Sequence, residues 1–247
     1  MGRSKTAAGR ETAKGGRTRG KRSLWRTLRR RVLQLLLVLI LLPPVLTIVY
    51  SVVPPISTLM LARYVQFLWV DRQWVPLEEI SPHLARSVIT SEDSGFCSND
   101  GVEWDALQDQ VEALSEGERP RGASTITMQT AKNLFLWGER SYIRKALELP
   151  LALMLDAILS KERVLEIYLN IAEWGEGIFG AEAAAQAWFG KSAKDLSRVE
   201  AARLATALPN PLGRNPARPS AGHRRLAATN LARVRSAGPI FGCVPGN

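Results

Sequence analysis

The chain has 247 residues and a formal net charge of +10, enough for one medium domain with an appendage. Up to Arg31 twelve basic residues face a single acid, Glu11, so the basicity belongs to a tail and residues 32–247 are close to neutral. The body shows no basic face interleaved with stacking aromatics, which excludes nucleic acid as its partner. Two histidines, His83 and His223, leave little material for a histidine-based triad. Cys97 and Cys243 are too few for a disulfide framework and lack zinc-like spacing. They could pair in an oxidising compartment, but the expectation is two separate small buried side chains.

Residues 2–22 are rich in Gly, Ser, Thr, Ala and basic side chains; they cannot bury a core and are expected to be disordered. From Val32 to Val53 the chain is almost wholly apolar and uncharged, the length a bilayer demands of a helix, with Pro43-Pro44 expected to kink it. A cleaved signal peptide would have a shorter apolar core and a small-residue cleavage site, and a buried core helix would lack so dense a cationic flank. An uncleaved anchor is expected, with the basic flank in the cytoplasm. The resulting division is a basic, disordered cytoplasmic tail (1–31), a transmembrane helix (32–53) and an extracytoplasmic domain (54–247), which in a Gram-negative cell is periplasmic, held on the inner membrane.

Leu61, Tyr64, Val65 and Leu68 have helical spacing, which fits either a helix packed on the domain or an interfacial segment lying on the bilayer. Ser81-Pro82 reads as a helix start, and that helix delivers Glu92-Asp93 near its C-terminal end. Phe96 close behind marks a partly buried turn, where burial would raise a carboxylate's pKa. Gln110 to Arg121 reads as a mobile loop. In the helix that follows, Thr125, Gln129 and Lys132 share one face and Ile126, Ala131 and Leu134 the core face. Ser141 caps a helix bearing Arg144 and Glu148 at i, i+4, read locally as a surface ion pair, and Pro150 should kink or interrupt it. Ser160–Asn170, Ala181–Phe189 and Val199–Leu208 are helical, with Val164, Leu165, Tyr168 and Leu169 inward. The basic stretch Arg218 to Arg235 fits a helix that wraps the domain, one that touches anionic lipid, or a solvated terminal helix, the last being expected.

The stretch from Ser91 to Glu148 brackets a polar, cationic segment with two carboxylates. Carboxylates take protons from hydroxyls; Lys and Arg hold phosphate, one as a point charge and the other as a fork. Together they suit transfer of a group from a phosphate-linked donor to an alcohol.

Five ordered motifs over about residues 80–216 then resemble glycosyltransferase family 51, the peptidoglycan glycosyltransferases. The pattern E-D-x-x-F-x-x-H-x-G stands as Glu92 to Gly101, with Asn99 at the usual His. G-[AG]-S-T-[IL]-T-Q-Q-x-x-K-N-L stands as Gly122 to Leu134, with Met128 at the first Gln. R-K-x-x-E stands as Arg144 to Glu148. The fourth and fifth resemble Lys161–Asn170 and Leu196–Ala205, the latter leading to Pro209-Asn210-Pro211. Glu103 stands where an Asp is usual.

The resemblance implies a mainly α, lysozyme-like bilobed domain behind a single transmembrane helix. It implies polymerisation of lipid II, with undecaprenyl-diphosphate-linked glycan as donor, and an inverting single displacement. Glu92 would be the general base, Lys132 and Arg144 would hold the diphosphate, and Glu148 would orient the reacting groups. Asp93, Phe96, Asn99, Ser124, Thr125, Gln129 and Asn133 would support the site. Magnesium or manganese at the diphosphate is a family option, though no dedicated ligand cluster stands out in the sequence. The bilayer and other cell-wall synthesis or division proteins are the implied surroundings. No S-x-x-K triplet follows the domain, so the stand-alone, monofunctional form is expected. Two rival readings stay open: a lytic, lysozyme-like glycosidase, and an inactive scaffold marked by Asn99 and Met128.

Overall fold

A computed structural model describes residues 17–117, 122, 124–139 and 141–244. The expected disorder of residues 2–16 and the loop reading at 118–121 fall outside them. Two compact units divide the chain, residues 1–43 and 44–247.

The first helix, α1, runs Arg17–Tyr50. It starts well before Val32, so residues 17–31 are helical rather than a disordered tail: Arg and Leu are good helix formers, and no breaker lies between Lys21 and Leu42. It also runs unbroken through Pro43-Pro44. Its section Trp25–Tyr50, 26 residues, is apolar enough to cross a membrane and rises about 39 Å, more than a ~30 Å hydrocarbon layer needs. Leu33 and residues Leu35 to Leu42 are all exposed, as expected for a helix whose solvent is not water.

In the second unit, α2 (Thr58–Val65) is capped by Ser57, which accepts from the Met60 N–H at 3.2 Å. Met60 is its buried residue, and the Thr58 hydroxyl donates to the Asn133 carbonyl (3.1 Å) and to that of Leu136. Leu61, Tyr64, Val65, Phe67, Leu68 and Trp69 stay exposed. Of the two readings for this stretch, packing on the domain is thus confined to one edge.

Six further helices follow in chain order: α3 (Pro82–Glu92), α4 (Trp104–Ser115), α5 (Ile126–Phe135), α6 (Tyr142–Ile158), α7 (Lys161–Ile171) and α8 (Ala181–Phe189). They are followed by α9 (Arg198–Ala205) and α10 (Ala221–Ser236). α5 packs between α6 and α7, while α3, α9 and α10 pack on one another. Ile126, Ala131 and Leu134 are buried as their spacing requires, and so are Val164, Leu165, Tyr168 and Leu169. A small sheet of order β1-β3-β2 joins Asp71–Arg72, Ile178–Phe179 and Glu173–Gly175. β1 pairs parallel and β2 antiparallel to β3, with an irregularity between Glu173 and Gly175.

Four local expectations change. Gln110–Ser115 belongs to α4, not to a loop. α6 passes through Pro150, since a single missing N–H costs one bond within a helix held by packing. α10 is not a solvated terminal helix: His223, Ala227 and Asn230 are buried, and the Asn230 amide donates to the Ser87 carbonyl at 2.9 Å. Finally, Cys97 and Cys243 are not separate side chains but a disulfide spanning 146 residues. The return of α10 along α3 brings Cys243 to the Cys97 turn, a contact no local pattern encodes. Closing a loop of that length contributes about 5 kcal/mol in the chain-entropy treatment.

Gly180 opens α8 at φ +87°, ψ 158°, a region open essentially to glycine alone. A Cβ there would sit 2.9 Å from the Asn170 carbonyl oxygen. Gly180→Ala is expected to lower the unfolding free energy by about 2–3 kcal/mol, read from the denaturant midpoint of the purified protein.

Candidate active site

The site forms where the end of α3 meets the start of α5. Asp93, the residue that closes α3, accepts the Ile126 N–H on Oδ2 at 3.0 Å and the Asn99 amide on Oδ1 at 3.1 Å. It therefore satisfies one orphan N–H of the first turn of α5, where a carboxylate also complements the helix dipole. Thr125 caps the same helix: its hydroxyl accepts the Met128 N–H at 3.0 Å and donates to the Gly101 carbonyl at 2.6 Å. Thr125 is thus a buried structural cap rather than part of a wet polar stripe.

This joint places Glu92 against the side of α5. The Gln129 amide donates to Glu92 Oε2 at 3.0 Å, and the Ser91 hydroxyl to Oε1 at 3.3 Å. The Tyr168 hydroxyl donates to Gln129 Oε1 at 3.1 Å, which fixes the amide so that its N–H₂ faces Glu92. Burial raises the Glu92 pKa above the ordinary glutamate value, against the Gln129 and Ser91 hydrogen bonds and the pull of Lys132 and Arg214. Burial, with Glu92 and Asp93 nearby, also holds the Tyr168 phenol well above its usual value, so it remains a donor.

One helical turn beyond Gln129, the Lys132 side chain makes no hydrogen bond or ion pair among the described residues. Burial lowers its pKa; Glu148 and Glu92 oppose that shift, Arg144 and Lys145 add to it. Lys132 therefore lies within electrostatic reach of both carboxylates and both α6 cations. On α6, Ser141 accepts the Arg144 N–H at 3.1 Å. The Arg144 guanidinium binds Glu148 Oε1 and donates from Nε to the Glu139 carbonyl at 2.8 Å. Lys145 Nζ reaches Glu148 Oε2 at 3.1 Å and the Ser124 hydroxyl at 2.5 Å. The Arg144–Glu148 pair is not a surface pair as its i, i+4 spacing alone implies: both residues are buried, because this face of α6 turns toward α5 and Ser124.

Glu92, Asp93, Asn99, Ser124, Thr125, Gln129, Lys132, Arg144 and Glu148 thus join through direct contacts or electrostatic reach. Phe96 is wholly buried and supports the turn as core. Asn133 stands apart: buried, with Oδ1 unpartnered, it meets α2 through its carbonyl. Sequence reasoning gave no role to Tyr168, Lys145 or Arg214. Lys145 was already spelled out in Arg144–Glu148, whereas Tyr168 reaches Gln129 across 39 residues. No group of three His, Cys, Asp or Glu side chains comes together among the described residues.

The helical scaffold thus holds one buried carboxylate among neutral donors and a second between two cations. The transglycosylase family pattern matches residues 60–235, and the chain belongs to that family. It is 52% identical over 222 residues to the biosynthetic peptidoglycan transglycosylase of Agrobacterium fabrum, covering 89% of this chain and 98% of that protein. Proteins of the same name from Rhodopseudomonas palustris strain HaA2 and Rhizobium meliloti are 54% and 49% identical, covering 86% and 93% of this chain and 94% and 98% of their own lengths.

Two outcomes follow from this geometry. Tyr168→Phe removes one neutral hydrogen bond that aims Gln129 and should slow the reaction about tenfold with no change in the circular dichroism spectrum. Burial holds Asp93 at about 6 in the folded chain against 3.8 as its ordinary value. A carboxyl raised on folding binds its proton more tightly in the native state, so its stabilising contribution is full below about pH 4 and is lost as pH rises through 6. Asp93→Asn should flatten that part of the stability–pH curve, measured by denaturant unfolding between pH 4 and 7.

Proposed function

We propose that this chain is a peptidoglycan glycosyltransferase that lengthens glycan strands from lipid II at a membrane surface. The growing glycan on undecaprenyl diphosphate is the donor, and the 4-hydroxyl of an incoming lipid II is the acceptor. Glu92 removes the hydroxyl proton as the new C1–O bond forms and the C1–O bond to the diphosphate breaks. The electron pair leaves on the diphosphate, where Lys132 and Arg144 neutralise it. Displacement in one step inverts the sugar carbon.

The observation that carries this reading is the unequal dressing of the two carboxylates. Glu92 meets neutral donors and is raised in pKa by burial, which suits a general base. Glu148 has one oxygen on Arg144 and the other on Lys145, which suits an orienting group. A glycosidase needs its second carboxylate free to act on the sugar and an acid to protonate a poor leaving group; a diphosphate needs cations instead. At Asn99, one mark of the scaffold reading, the amide still donates to Asp93 as the joint requires, which supports an intact site.

The membrane enters through α1, and the exposed apolar run of Leu61, Tyr64, Val65, Phe67, Leu68 and Trp69 lies on the lipid, near a substrate that arrives on a polyprenyl chain. The basic flank keeps the N-terminus cytoplasmic. The Cys97–Cys243 bridge fits an oxidising compartment, hence a periplasmic domain anchored in the inner membrane. Other cell-wall synthesis or division proteins are its natural neighbours there.

Glu92→Gln is expected to lower polymer formation from lipid II by about 10²- to 10⁴-fold while retaining affinity for a diphosphate-bearing donor analogue. Near-normal glycan synthesis by that variant would remove Glu92 as the base. Lys132→Ala should weaken the same analogue about tenfold or more, as loss of a charged contact does; unchanged binding would reassign Lys132 to packing.

A further inference from the structure

The turn between Asp93 and Gly101 carries one side of the site yet contains no regular helix or strand. A few short-range backbone bonds shape it, such as the Asn99 N–H to the Gly95 carbonyl at 2.8 Å. Its two ends are bonded to the start of α5, and two further tethers from distant parts of the chain hold its middle in place. One is the disulfide from Cys97 to Cys243, reinforced by the Cys243 N–H on Cys97 Sγ at 3.3 Å. The other is Lys161, the first residue of α7. Its Nζ donates to the Asn99 carbonyl at 2.6 Å and to Asn99 Oδ1 at 3.2 Å. It is itself held by Asp156 Oδ1 at 2.6 Å and lies over the Phe96 ring, 5.1 Å from its centre.

The direction of these bonds matters. An Asn side chain has one amide donor end and one carbonyl acceptor end. By taking the Oδ1 end, together with the Gly101 N–H at 3.0 Å, Lys161 leaves the Nδ2 end to donate to Asp93. Asp93 then accepts from Asn99 and Ile126 at once, and Glu92 comes to rest against Gln129. We propose that Lys161 is a positioning residue for glycosyl transfer, acting through Asn99 and Asp93 to hold the turn that sets Glu92 against α5. The proposal rests on the reading of Glu92 as the base. Lys161 has no hydrogen bond to Glu92 or Lys132 and does not touch the reacting groups.

Its charge gives the role a signature. Asp93 is faced by Glu103 from the segment ahead of α4, by Lys161 and Tyr168 from α7, and by the Asn99 and Ile126 N–H donors; Asp156 of α6 sits behind Lys161. Glu103 raises the Asp93 pKa and Lys161 lowers it, so removing the ammonium raises it further. Protonated Asp93 cannot accept two N–H bonds in the same way. Activity that depends on the joint must therefore fail at a higher pH once Lys161 is neutral.

The test compares the full chain with Lys161→Met and Glu92→Gln in detergent, following polymer formation from lipid II between pH 5 and 9. Lys161→Met is expected to lower kcat roughly 10- to 100-fold, as loss of a charged hydrogen bond does, with KM for lipid II little changed and the acid limb moved upward. The disulfide still ties the turn, so the variant should unfold cooperatively as wild type does. Should it fail to fold, Asp156→Asn keeps the ammonium but frees it from its carrier, and a fall in kcat in the same direction is expected without the upward move of the acid limb, because the positive charge near Asp93 remains; an unchanged kcat in this variant would overturn the role. Unchanged kcat and an unchanged pH profile in a folded variant would overturn the role. Inactive Glu92→Gln beside fully active Lys161→Met would reject the positioning role alone; active Glu92→Gln would reject the base assignment beneath it.

Discussion

The hydrogen bond from the Ile126 N–H to Asp93 Oδ2 joins two helices that would otherwise only pass each other. α3 ends at Glu92 with carbonyls unsatisfied, and α5 begins with N–H groups unsatisfied; the carboxylate after the first caps the second. Everything that gives Glu92 its surroundings depends on that joint. Gln129 and Lys132 lie one and two turns along α5 from the bonded N–H, so a shift at Ile126 would carry both away from Glu92. The joint has a cost: Asp93 is buried and its carboxyl is raised to about 6, which disfavours its ionised form at neutral pH. The fold tolerates this because the same residue is braced by Asn99.

Charge is partitioned across the site in a way that separates two chemically identical side chains. Glu148 sits between Arg144 and Lys145, where breaking either contact would strand a buried charge. Glu92 keeps neutral neighbours and a proton affinity raised by burial. Lys132 lies in reach of both and makes no ion pair of its own among the described residues, so its ammonium is available to an anionic ligand. In the proposed transfer from a diphosphate donor each of these states has a use: a base that can accept a proton, a cation not yet committed, and a carboxylate fixed as part of the wall.

Features that repeat along one helix were legible in the sequence. The core face of α5 and the Arg144–Glu148 spacing follow from a period of 3.6 residues, the Ser141 cap from the hydrogen-bonding side chain of serine, and the five motifs supplied the residues of the proposed site. What stayed hidden crosses long separations. Tyr168 reaches Gln129 from another helix, and Cys97 meets Cys243 only because α10 returns along α3. The burial of Arg144 and Glu148 was equally hidden, since i, i+4 spacing is the same on a wet face and a dry one. α10 illustrates the limit from the other side: its basic sequence reads as solvated, yet His223, Ala227 and Asn230 give it a narrow buried edge that average composition conceals.

The central claim is that sugar moves from a lipid diphosphate to a hydroxyl. Its most direct test incubates the purified chain with lipid II and counts undecaprenyl diphosphate released against glycosidic bonds formed. The account predicts one released for each bond made, with the new linkage inverted relative to the donor. Lipid II left intact, or muropeptides released from preformed glycan with no lipid II present, would contradict it.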